Sequence, residues 1–377
     1  MLAVLIRLAL GNQHSMILKQ DGRVWSTGCN EFGQLGIGVT IGSFNFVWAS
    51  LSDAKAVAVG NDHSMVLKRD SSVWVTGQNM YGQLGDRSKA SKSAFVKVLS
   101  SSALAVAAGY DYSMVLKQDG SVWATGRNNH GQLGDGTTAS RSRFIQVVSS
   151  GVQAVATGGY HSIVVKQDDS VWGTGSNSFG QLGMGLLFKD RVTFHQILDS
   201  GVKAVAAGAL HSLVLKQDGS VWATGRNLFG QLGDGSTIAK STFTVVITRF
   251  AKAVAAGHSH SMMLSQDGSV WVTGSNVHGQ LGDGSTIDRN SFAKVKPSGA
   301  KAIAAGFRHS MILTQDGSVW ATGWNLYGQF GDGSITSKSI FTVVATLGGN
   351  AIHDADSVTG KQLPSDLAVT TRASEAG

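Results

Sequence analysis

Short apolar runs separated by Gly-rich polar turns alternate along this chain, and the alternation repeats with a fixed period. In the stretch Ala107–Gly136, an apolar run ending at Lys117 precedes Gln-Asp-Gly, Ser-Val-Trp-Ala-Thr-Gly and Asn-x-x-Gly-Gln-Leu-Gly. Close copies of this stretch occur seven times. Its tryptophan recurs every 49 or 50 residues, as Trp25, Trp74, Trp123, Trp172, Trp222, Trp271 and Trp320. Such even self-similarity predicts a repeat architecture whose units share one core.

Each repeat is predicted to form four short strands. In the third repeat they are Ala103–Ala108, Ser113–Lys117, Ser121–Thr125 and Phe144–Val148. These runs are apolar on both faces, so each sheet must be covered on both sides, and no helical period is found before about Ala345. Sheets packed on sheets around an axis give an all-β, seven-bladed β-propeller of four-stranded blades. An open solenoid is the alternative, but it needs atypical end repeats, and the first and last repeats resemble the others.

The repeated positions suggest packing roles. The Ala- and Gly-rich first strand is predicted to line the crowded axis of the ring. The Trp column is predicted to fill the wider gap between blades further out, which is a structural role. Asp119-Gly120 and its equivalents predict type I′ hairpins, with looser hairpins at Ser71-Ser72 and Asp168-Asp169. In the Asn-x-x-Gly-Gln-Leu-Gly loop, the Leu is predicted to fill the gap between blades, and the Gln to bond loop backbone groups.

The propeller is predicted to span residues 1–345, followed by a flexible tail over 346–377 that is polar and lacks the period. The apolar start aligns with the first strand of the second repeat, so it is interpreted as a strand rather than a signal peptide. No run is long enough to span a bilayer. A chain that begins directly on a strand is also consistent with a domain of a larger protein, such as a ubiquitin-ligase-like or chromatin-associated one.

Composition adds little to the functional picture. Hydrophobic residues make up 42% of the chain and charged residues 15%, and the net charge of +7 is spread through the repeats. Solubility is a sufficient explanation for that charge. Cys29 is the single cysteine, which fits a reducing compartment, so an intracellular location in the cytoplasm or nucleus is expected. No cofactor is predicted.

Two motifs together resemble a known repeat. Gly-x-x-His-Ser, followed by Asp-Gly-Ser-Val-Trp-x-Thr-Gly-x-Asn-x-x-Gly-Gln-Leu-Gly, is similar to the repeat of the regulator of chromosome condensation family, from about Ala3 to Ala345. The resemblance implies a seven-bladed propeller that usually serves as a protein-binding platform. Family members include a guanine-nucleotide exchange factor for a nuclear GTPase, a plant UV-B photoreceptor and a bacterial β-lactamase inhibitor. Fold alone does not choose among these functions.

The chain departs from the family pattern in ways that bear on function. The family often has Trp where this chain has Thr27, Thr76, Thr125, Thr174, Thr224, Thr273 and Thr322. The photoreceptor resemblance would need Trp after the Gly of Gly-x-x-His, but those positions hold Asn12, Asn61, Tyr110, Gly159, Ala209, His258 and Phe307. UV-B sensing is therefore not expected. The exchange factor uses an inserted wedge, and the uniform spacing leaves no room for one, which weakens that alternative.

Polar columns in the repeat invite metal or catalytic hypotheses. The histidine column is His14, His63, His161, His211, His260 and His309, with Tyr112 in the third repeat. Metal ligands must converge to about 2 Å, which a wide ring does not offer, so each His is predicted to bond the neighbouring blade's backbone. The Asp column, which includes Asp86 and Asp135, is assigned to turns. No nucleophile–base–acid set stands out, so no catalytic residue, no metal site and no enzyme activity are predicted.

The positions at which repeats differ are the candidates for binding. The Gly-x-x-His turns and the Asn-x-x-Gly loops are predicted to share one face of the ring. The second variable loop position always has a ring: Phe32, Tyr81, His130, Phe179, Phe229, His278 and Tyr327. Near the axis are Tyr110, Tyr160, His258, Phe307 and Arg308, and one loop carries Leu186, Leu187 and Phe188. Aromatic residues and Arg are enriched at interface hot spots, although the loop rings have an equally good role covering loop glycines.

These observations predict a non-catalytic interaction module that binds a partner protein through this face, as a monomer or within a larger assembly. The alternative is a regulator of a small GTPase, such as an exchange factor. Lysines beside the hairpins, including Lys19, Lys68 and Lys117, could form a ring for nucleic acid or other acidic partners on the opposite face. Neighbouring aspartates offset them, so that partner is weakly supported.

Overall fold

The computed structural model describes residues 7–185, 189–296 and 298–346. Over this part of the chain there are 28 strands, arranged as seven four-stranded antiparallel sheets. Each sheet takes four consecutive strands in chain order, so each blade is one continuous repeat. The predicted all-β, seven-bladed propeller is confirmed.

The strands are as follows. Blade 1 has β1 (Arg7–Leu10), β2 (His14–Leu18), β3 (Val24–Gly28) and β4 (Ser43–Trp48); blade 2 has β5 (Ala54–Val59), β6 (His63–Lys68), β7 (Val73–Gly77) and β8 (Lys92–Leu99). Blade 3 has β9 (Ala103–Ala108), β10 (Tyr112–Lys117), β11 (Val122–Gly126) and β12 (Arg141–Val148); blade 4 has β13 (Val152–Thr157), β14 (His161–Lys166), β15 (Val171–Gly175) and β16 (Arg191–Leu198). Blade 5 has β17 (Val202–Ala207), β18 (His211–Lys216), β19 (Val221–Gly225) and β20 (Lys240–Ile247); blade 6 has β21 (Ala251–Ala256), β22 (His260–Ser265), β23 (Val270–Gly274) and β24 (Arg289–Lys296). Blade 7 has β25 (Ala300–Ala305), β26 (His309–Thr314), β27 (Ser318–Gly323) and β28 (Lys338–Thr346).

Within the described residues, the ring closes by contact between blades 7 and 1, with no strand exchanged between them. The amide of Phe307 donates to the carbonyl of Gly11 at 3.0 Å, and Asp332 forms a β-bridge with Asn45. Equivalent bridges join the other neighbouring blades, for example Asp86 with Arg143. The open-solenoid alternative is therefore wrong. Strand β28 includes Thr346, and the predicted tail beyond it lies outside the described residues.

The blades pack through the side chains that the repeat predicts. Leu84 of blade 2 is fully buried in one cluster with Phe144 of blade 3, and Phe330 of blade 7 contacts the cluster that contains Phe46 of blade 1. These loop side chains fill the gaps between blades, as predicted. Gln34 Oε1 accepts a hydrogen bond from the amide of Phe32 at 3.0 Å. The equivalent Gln of every other blade accepts the same bond in its own loop.

The hairpin prediction is wrong in its turn type. A type I′ turn needs positive φ at both central residues, but of Asp119 and Gly120 only Gly120 has it, at 76°. The amide of Lys117 donates to Ser121 O, and the amide of Gly120 to Lys117 O, which describes a three-residue loop with one residue in the left-handed region. Blades 2 and 4 form the same bonds, so their hairpins are not looser. Ser71 (φ 64°) and Asp169 (φ 61°) occupy the glycine position instead.

Replacing Ser71 with Gly is expected to stabilise the protein by about 1 kcal/mol, because a side chain at positive φ is strained and glycine is not. The hydrogen bond lost with the Ser71 hydroxyl is exposed, so its contribution is small. Chemical denaturation should show the gain. The matched reverse change, Gly120→Ser in blade 3, should destabilise the fold, and equal stabilities for both variants would contradict this explanation.

Candidate protein-binding face

The histidine column forms a buried ring of hydrogen bonds between blades. His14 contacts Ser64 through Nε2 at 2.9 Å, and Ser64 donates its hydroxyl proton to Gln34 O at 2.7 Å. The histidine is therefore the donor and carries its proton on Nε2. The same contact joins His63, His161, His211, His260 and His309 to the serines Ser113, Ser212, Ser261, Ser310 and Ser15. The predicted partner, the neighbouring blade's backbone, is wrong: the partner is a serine side chain of the neighbouring blade, and its hydroxyl donates back to a loop carbonyl of the histidine's own blade.

Blade 3 makes this connection with a phenol. The hydroxyl of Tyr112 donates to His161 O at 2.5 Å and accepts from Ser162 at 3.0 Å.

Burial lowers the pKa of each column histidine to about 3, so all six are neutral at physiological pH. The column holds neighbouring blades together. Among the described residues, no group of His, Cys, Asp or Glu is placed to hold a metal ion.

The loops after each third strand are held rigidly. Thr76 donates to Gly33 O of the preceding blade at 2.8 Å, and the equivalent Thr of every other blade repeats the bond. Asp86 accepts from the amide of Ser88 and from Asn79, as its assignment to a turn predicted. Burial alone would raise the pKa of Asp86, but these hydrogen bonds lower it by more, so the pKa lies below its usual value. The loops therefore present their variable residues on a preformed scaffold.

The Gly-x-x-His turns and the Asn-x-x-Gly loops do share one face, which we call the loop face. The ring of His130, from a loop, lies 5.3 Å from the ring of Tyr160, from a turn. Likewise, Arg308 of a turn lies 5.3 Å from the ring of Trp324, which itself lies 5.4 Å from the ring of Tyr327. The predicted candidates therefore meet, and their role in binding stays a prediction.

The candidates near the axis form one aromatic cluster over the central cavity. Tyr110 reaches across the axis: its ring lies 5.4 Å from Tyr160, 6.2 Å from His258 and 6.0 Å from Phe307. Below them the first strands enclose about 200 Å³, lined largely by Gly and Ala. The hydroxyl of Tyr110 is buried without a hydrogen-bond partner in the described structure. Desolvation raises the pKa of Tyr110 well above its usual value.

The most exposed apolar side chains on this face are ones that the sequence did not single out. Most loop rings, such as Phe32 and Tyr81, are half-buried, and Phe179 is more exposed. The first variable loop position is more open: Leu228 and Val277 are each 58% exposed, and Leu326 is 53% exposed. The next turns of these loops add Ile238, Ile287 and Ile335, all exposed. Together these residues form an apolar arc over blades 5, 6 and 7. The apolar residues at the first variable loop position of repeats 5, 6 and 7 are the sequence signal that could have indicated them.

Charged side chains of both signs lie on the loop face. Glu31, Asp62 and Asp111 belong to blades 1 to 3, and burial with the nearby carboxylates raises the pKa of Asp62 to about 6. Arg226 and Arg308 belong to blades 5 and 7, and their charges add to burial in lowering the pKa of His258 to about 4. Arg226 and Trp324 occupy the variable position of Gly-x-Asn and were not among the predicted candidates.

The opposite face, formed by the hairpins, has its own regular feature. The ammonium of Lys117 lies 3.8 Å from the centre of the Trp123 ring, and that of Lys166 lies 3.6 Å from Trp172. The repeated Trp side chains are mostly half-buried, with Trp25 the most buried at 3% exposed. The hairpin lysines therefore cover the tryptophans by cation–π contacts. This gives a local role to the residues that were considered as a ring for acidic partners.

Three of the predicted candidates, Leu186, Leu187 and Phe188, lie outside the described residues. No helix in the described part of the chain is long and apolar enough to cross a membrane.

Comparison with solved structures shows the same fold elsewhere. Human WBSCR16 is 25% identical, with a TM-score of 0.75 over 83% of this chain and 87% of that one. Yeast RCC1 (Prp20), solved bound to Kap60, is 21% identical, with a TM-score of 0.77 over 89% of this chain and 85% of that one. Prp20p of Saccharomyces cerevisiae, described with its binding to Gsp1p and histones, is 23% identical, with a TM-score of 0.77 over 88% of each chain. No curated protein sequence matches this chain.

The family assignment rests on sequence profiles. The profile of the RCC1-like domain matches residues 2–249, which is more than half of the chain. Profiles of the regulator of chromosome condensation (RCC1) repeat match residues 251–280, 300–329 and 267–313. With seven repeats folded into seven blades, the chain belongs to the family of RCC1-like repeat propellers.

Proposed function

We propose that this propeller is a non-catalytic binding module that takes a partner protein on its loop face. The observation that carries the proposal is the apolar arc of blades 5 to 7. Leu228, Val277 and Leu326 are more than half exposed on loops whose backbones are fixed by hydrogen bonds. Exposed apolar side chains at equivalent positions of three neighbouring blades, held on a rigid scaffold, are typical of a protein interface.

The chemistry around the arc supports a protein partner. The aromatic cluster of Tyr110, Phe307 and His258 lies at the axis, and Arg308 and Trp324 connect it to the arc. Apolar side chains, aromatic rings and Arg make up the centre of typical interfaces, with polar groups at the rim. A groove beside the arc, lined by Leu228, Phe229 and Asn290 among others, could receive a protruding side chain.

The double variant Leu228→Asp/Leu326→Asp is expected to lose at least about tenfold in partner capture, because charges at a buried apolar contact are costly to desolvate. Wild type and variants would be used for capture from native lysate, with the proteins quantified by mass spectrometry. Val245→Asp, on an exposed edge-strand position, is the matched control. Thermal unfolding would confirm that all three proteins are folded. A captured set that is the same for wild type and the double variant would reject the loop face as the binding surface.

A small GTPase is one class of partner that this capture could return. Prp20p is described by its binding to Gsp1p and histones, but at 23% identity its likeness to this chain extends to the fold only. Nucleotide release from a captured GTPase, measured with and without the propeller, would test exchange activity. Capture without accelerated release would leave the chain a binding module.

A further inference from the structure

We propose that Arg226 is the docking point for a carboxylate side chain of the partner protein, an inference that rests on the proposed function of the loop face. Arg226 is half-buried between blades 4 and 5, and no carboxylate among the described residues lies within ion-pair distance of its guanidinium. A half-buried guanidinium without a counter-charge is available to a ligand that supplies one.

Blade 3 shows which group an arginine at this repeat position binds. Arg127 is the equivalent of Arg226, and its backbone amide donates to Asp111 O at 2.9 Å, as that of Arg226 does to Leu210 O at 2.9 Å. Both guanidinium groups lie over the loop ring of the preceding blade, at 4.9 Å from Tyr81 and 5.2 Å from Phe179. The two arginines are therefore held in the same way by backbone and ring.

The two blades differ in what surrounds the guanidinium. Arg127 donates to the Asp111 carboxylate at 3.1 Å and to Asn129 Oδ1 at 2.9 Å. In blade 5, Leu210 stands in place of Asp111, and Leu228 stands in place of Asn129. Arg226 thus has the same backbone position and the same kind of ring contact as Arg127, but leucine stands in place of both polar partners of the guanidinium. A partner carboxylate could occupy the place that Asp111 fills in blade 3, with Leu228 packing beside it.

The charge distribution favours an acidic side chain of a protein over a nucleic acid. Arg226 and Arg308 lie on blades 5 and 7, but carboxylates lie on other blades of the same face: Glu31, Asp62 and Asp111 on blades 1 to 3, and Asp288 on blade 6. A polyanion laid across the face would meet these carboxylates, whereas a protein can place an acidic group on one side and a neutral or basic one on the other. Arginine binds a carboxylate with two parallel hydrogen bonds, which gives the site directional specificity.

The test uses two fluorescein-labelled peptides and the full chain. One peptide alternates glutamate with leucine, and the other has glutamine in place of each glutamate. We expect the wild type to bind the glutamate peptide about tenfold more tightly than the glutamine peptide, as a charge-assisted hydrogen bond predicts. Arg226→Gln should remove that preference. Leu210→Asp should remove it too, because it supplies the internal carboxylate that blade 3 already has.

Control variants separate the site from general effects. Leu210→Asn matches Leu210→Asp in size without the charge and should keep the preference, and Arg23→Gln on the hairpin face should keep it as well. A preference that survives both Arg226→Gln and Leu210→Asp would overturn the proposal. Two other results would also overturn it. One is a single-stranded oligothymidine that displaces the glutamate peptide and whose own binding depends on Arg226. The other is self-association of the chain that Arg226→Gln abolishes.

The outcome also distinguishes this inference from the proposed function. Both peptides carry the same leucines, so equal binding of the two by the wild type would reject the carboxylate site and leave the apolar docking face standing. Binding of neither peptide by the wild type would reject both.

Discussion

Acidification from pH 7 to pH 5 is expected to remove most of the folding stability of this propeller. The six column histidines are fully buried, and burial lowers their pKa to about 3, against an ordinary value of 6.5. The unfolded chain therefore takes up protons first as the pH falls. Their contribution is fully present above pH 6.5 and is lost progressively as the pH falls towards 3.

The size of this effect follows from the number of histidines. At pH 5 each one lowers the free energy of unfolding by about 2 kcal/mol, so six together approach the whole stability of a typical domain. Asp62 and Asp111 act in the opposite direction because burial raises their pKa values, that of Asp62 to about 6, but they are two groups against six. Unfolding is therefore expected between pH 4 and 5 at room temperature.

Denaturant titrations from pH 7.5 to pH 4 would measure the effect, and His211→Tyr provides the control. This change copies Tyr112, which occupies the same position in blade 3 and does not titrate in this range. The slope of unfolding free energy against pH, between 6.5 and 5, should fall by about 1 kcal/mol per pH unit, because one histidine fewer takes up a proton on unfolding. A free energy of unfolding that is the same at pH 7 and pH 5 would contradict the account of the column.

Replacing Gly274 with Ala is expected to destabilise the fold by at least about 3 kcal/mol. Gly274 ends β23 opposite His260 and has a φ of 104°. A Cβ there would lie 2.6 Å from Ser259 O and 2.7 Å from His260 Cα, both backbone atoms. The backbone of the neighbouring strand would have to shift, and the hydrogen bond of His260 to Ser310 would shift with it.

Gly201→Ala is the matched control for this effect. Gly201 also has a positive φ, at 74°, but a Cβ there would meet nothing within 4 Å. Its cost should be the backbone strain alone, about 1 kcal/mol. Chemical denaturation of the two variants would compare them. Equal losses would show that the crowding beside the histidine column does not contribute.

The features that the sequence predicted are those that every repeat shares. The Trp spacing and the apolar runs predicted seven four-stranded blades, and the first strand of blade 3, Ala103–Ala108, has the predicted bounds. A repeated position must satisfy the same contacts in every blade, so its role can be inferred from residue type and period alone. The buried Leu and the Gln of each loop were predicted for this reason.

The features that the sequence missed depend on geometry between blades. Ser64 is a small polar residue that fits many environments, and only the structure shows that it accepts a hydrogen bond from His14 of the preceding blade. The turn type was mistaken because Asp-Gly suits both a type I′ turn and a three-residue loop with glycine in the left-handed region. The unpaired state of Arg226 depends on Leu210, sixteen residues earlier, and becomes visible only beside the paired Arg127 and Asp111.

The measurement that tests the central claim most directly is site-specific photo-crosslinking in native lysate. A photoreactive phenylalanine analogue would replace Leu228 or Val277 on the loop face, and Asp119 or Asp218 on the hairpin face, all of which are exposed. We predict that the same partner protein is crosslinked from both loop-face positions and from neither hairpin position. A partner crosslinked only from Asp119 and Asp218 would contradict it and would assign binding to the opposite face.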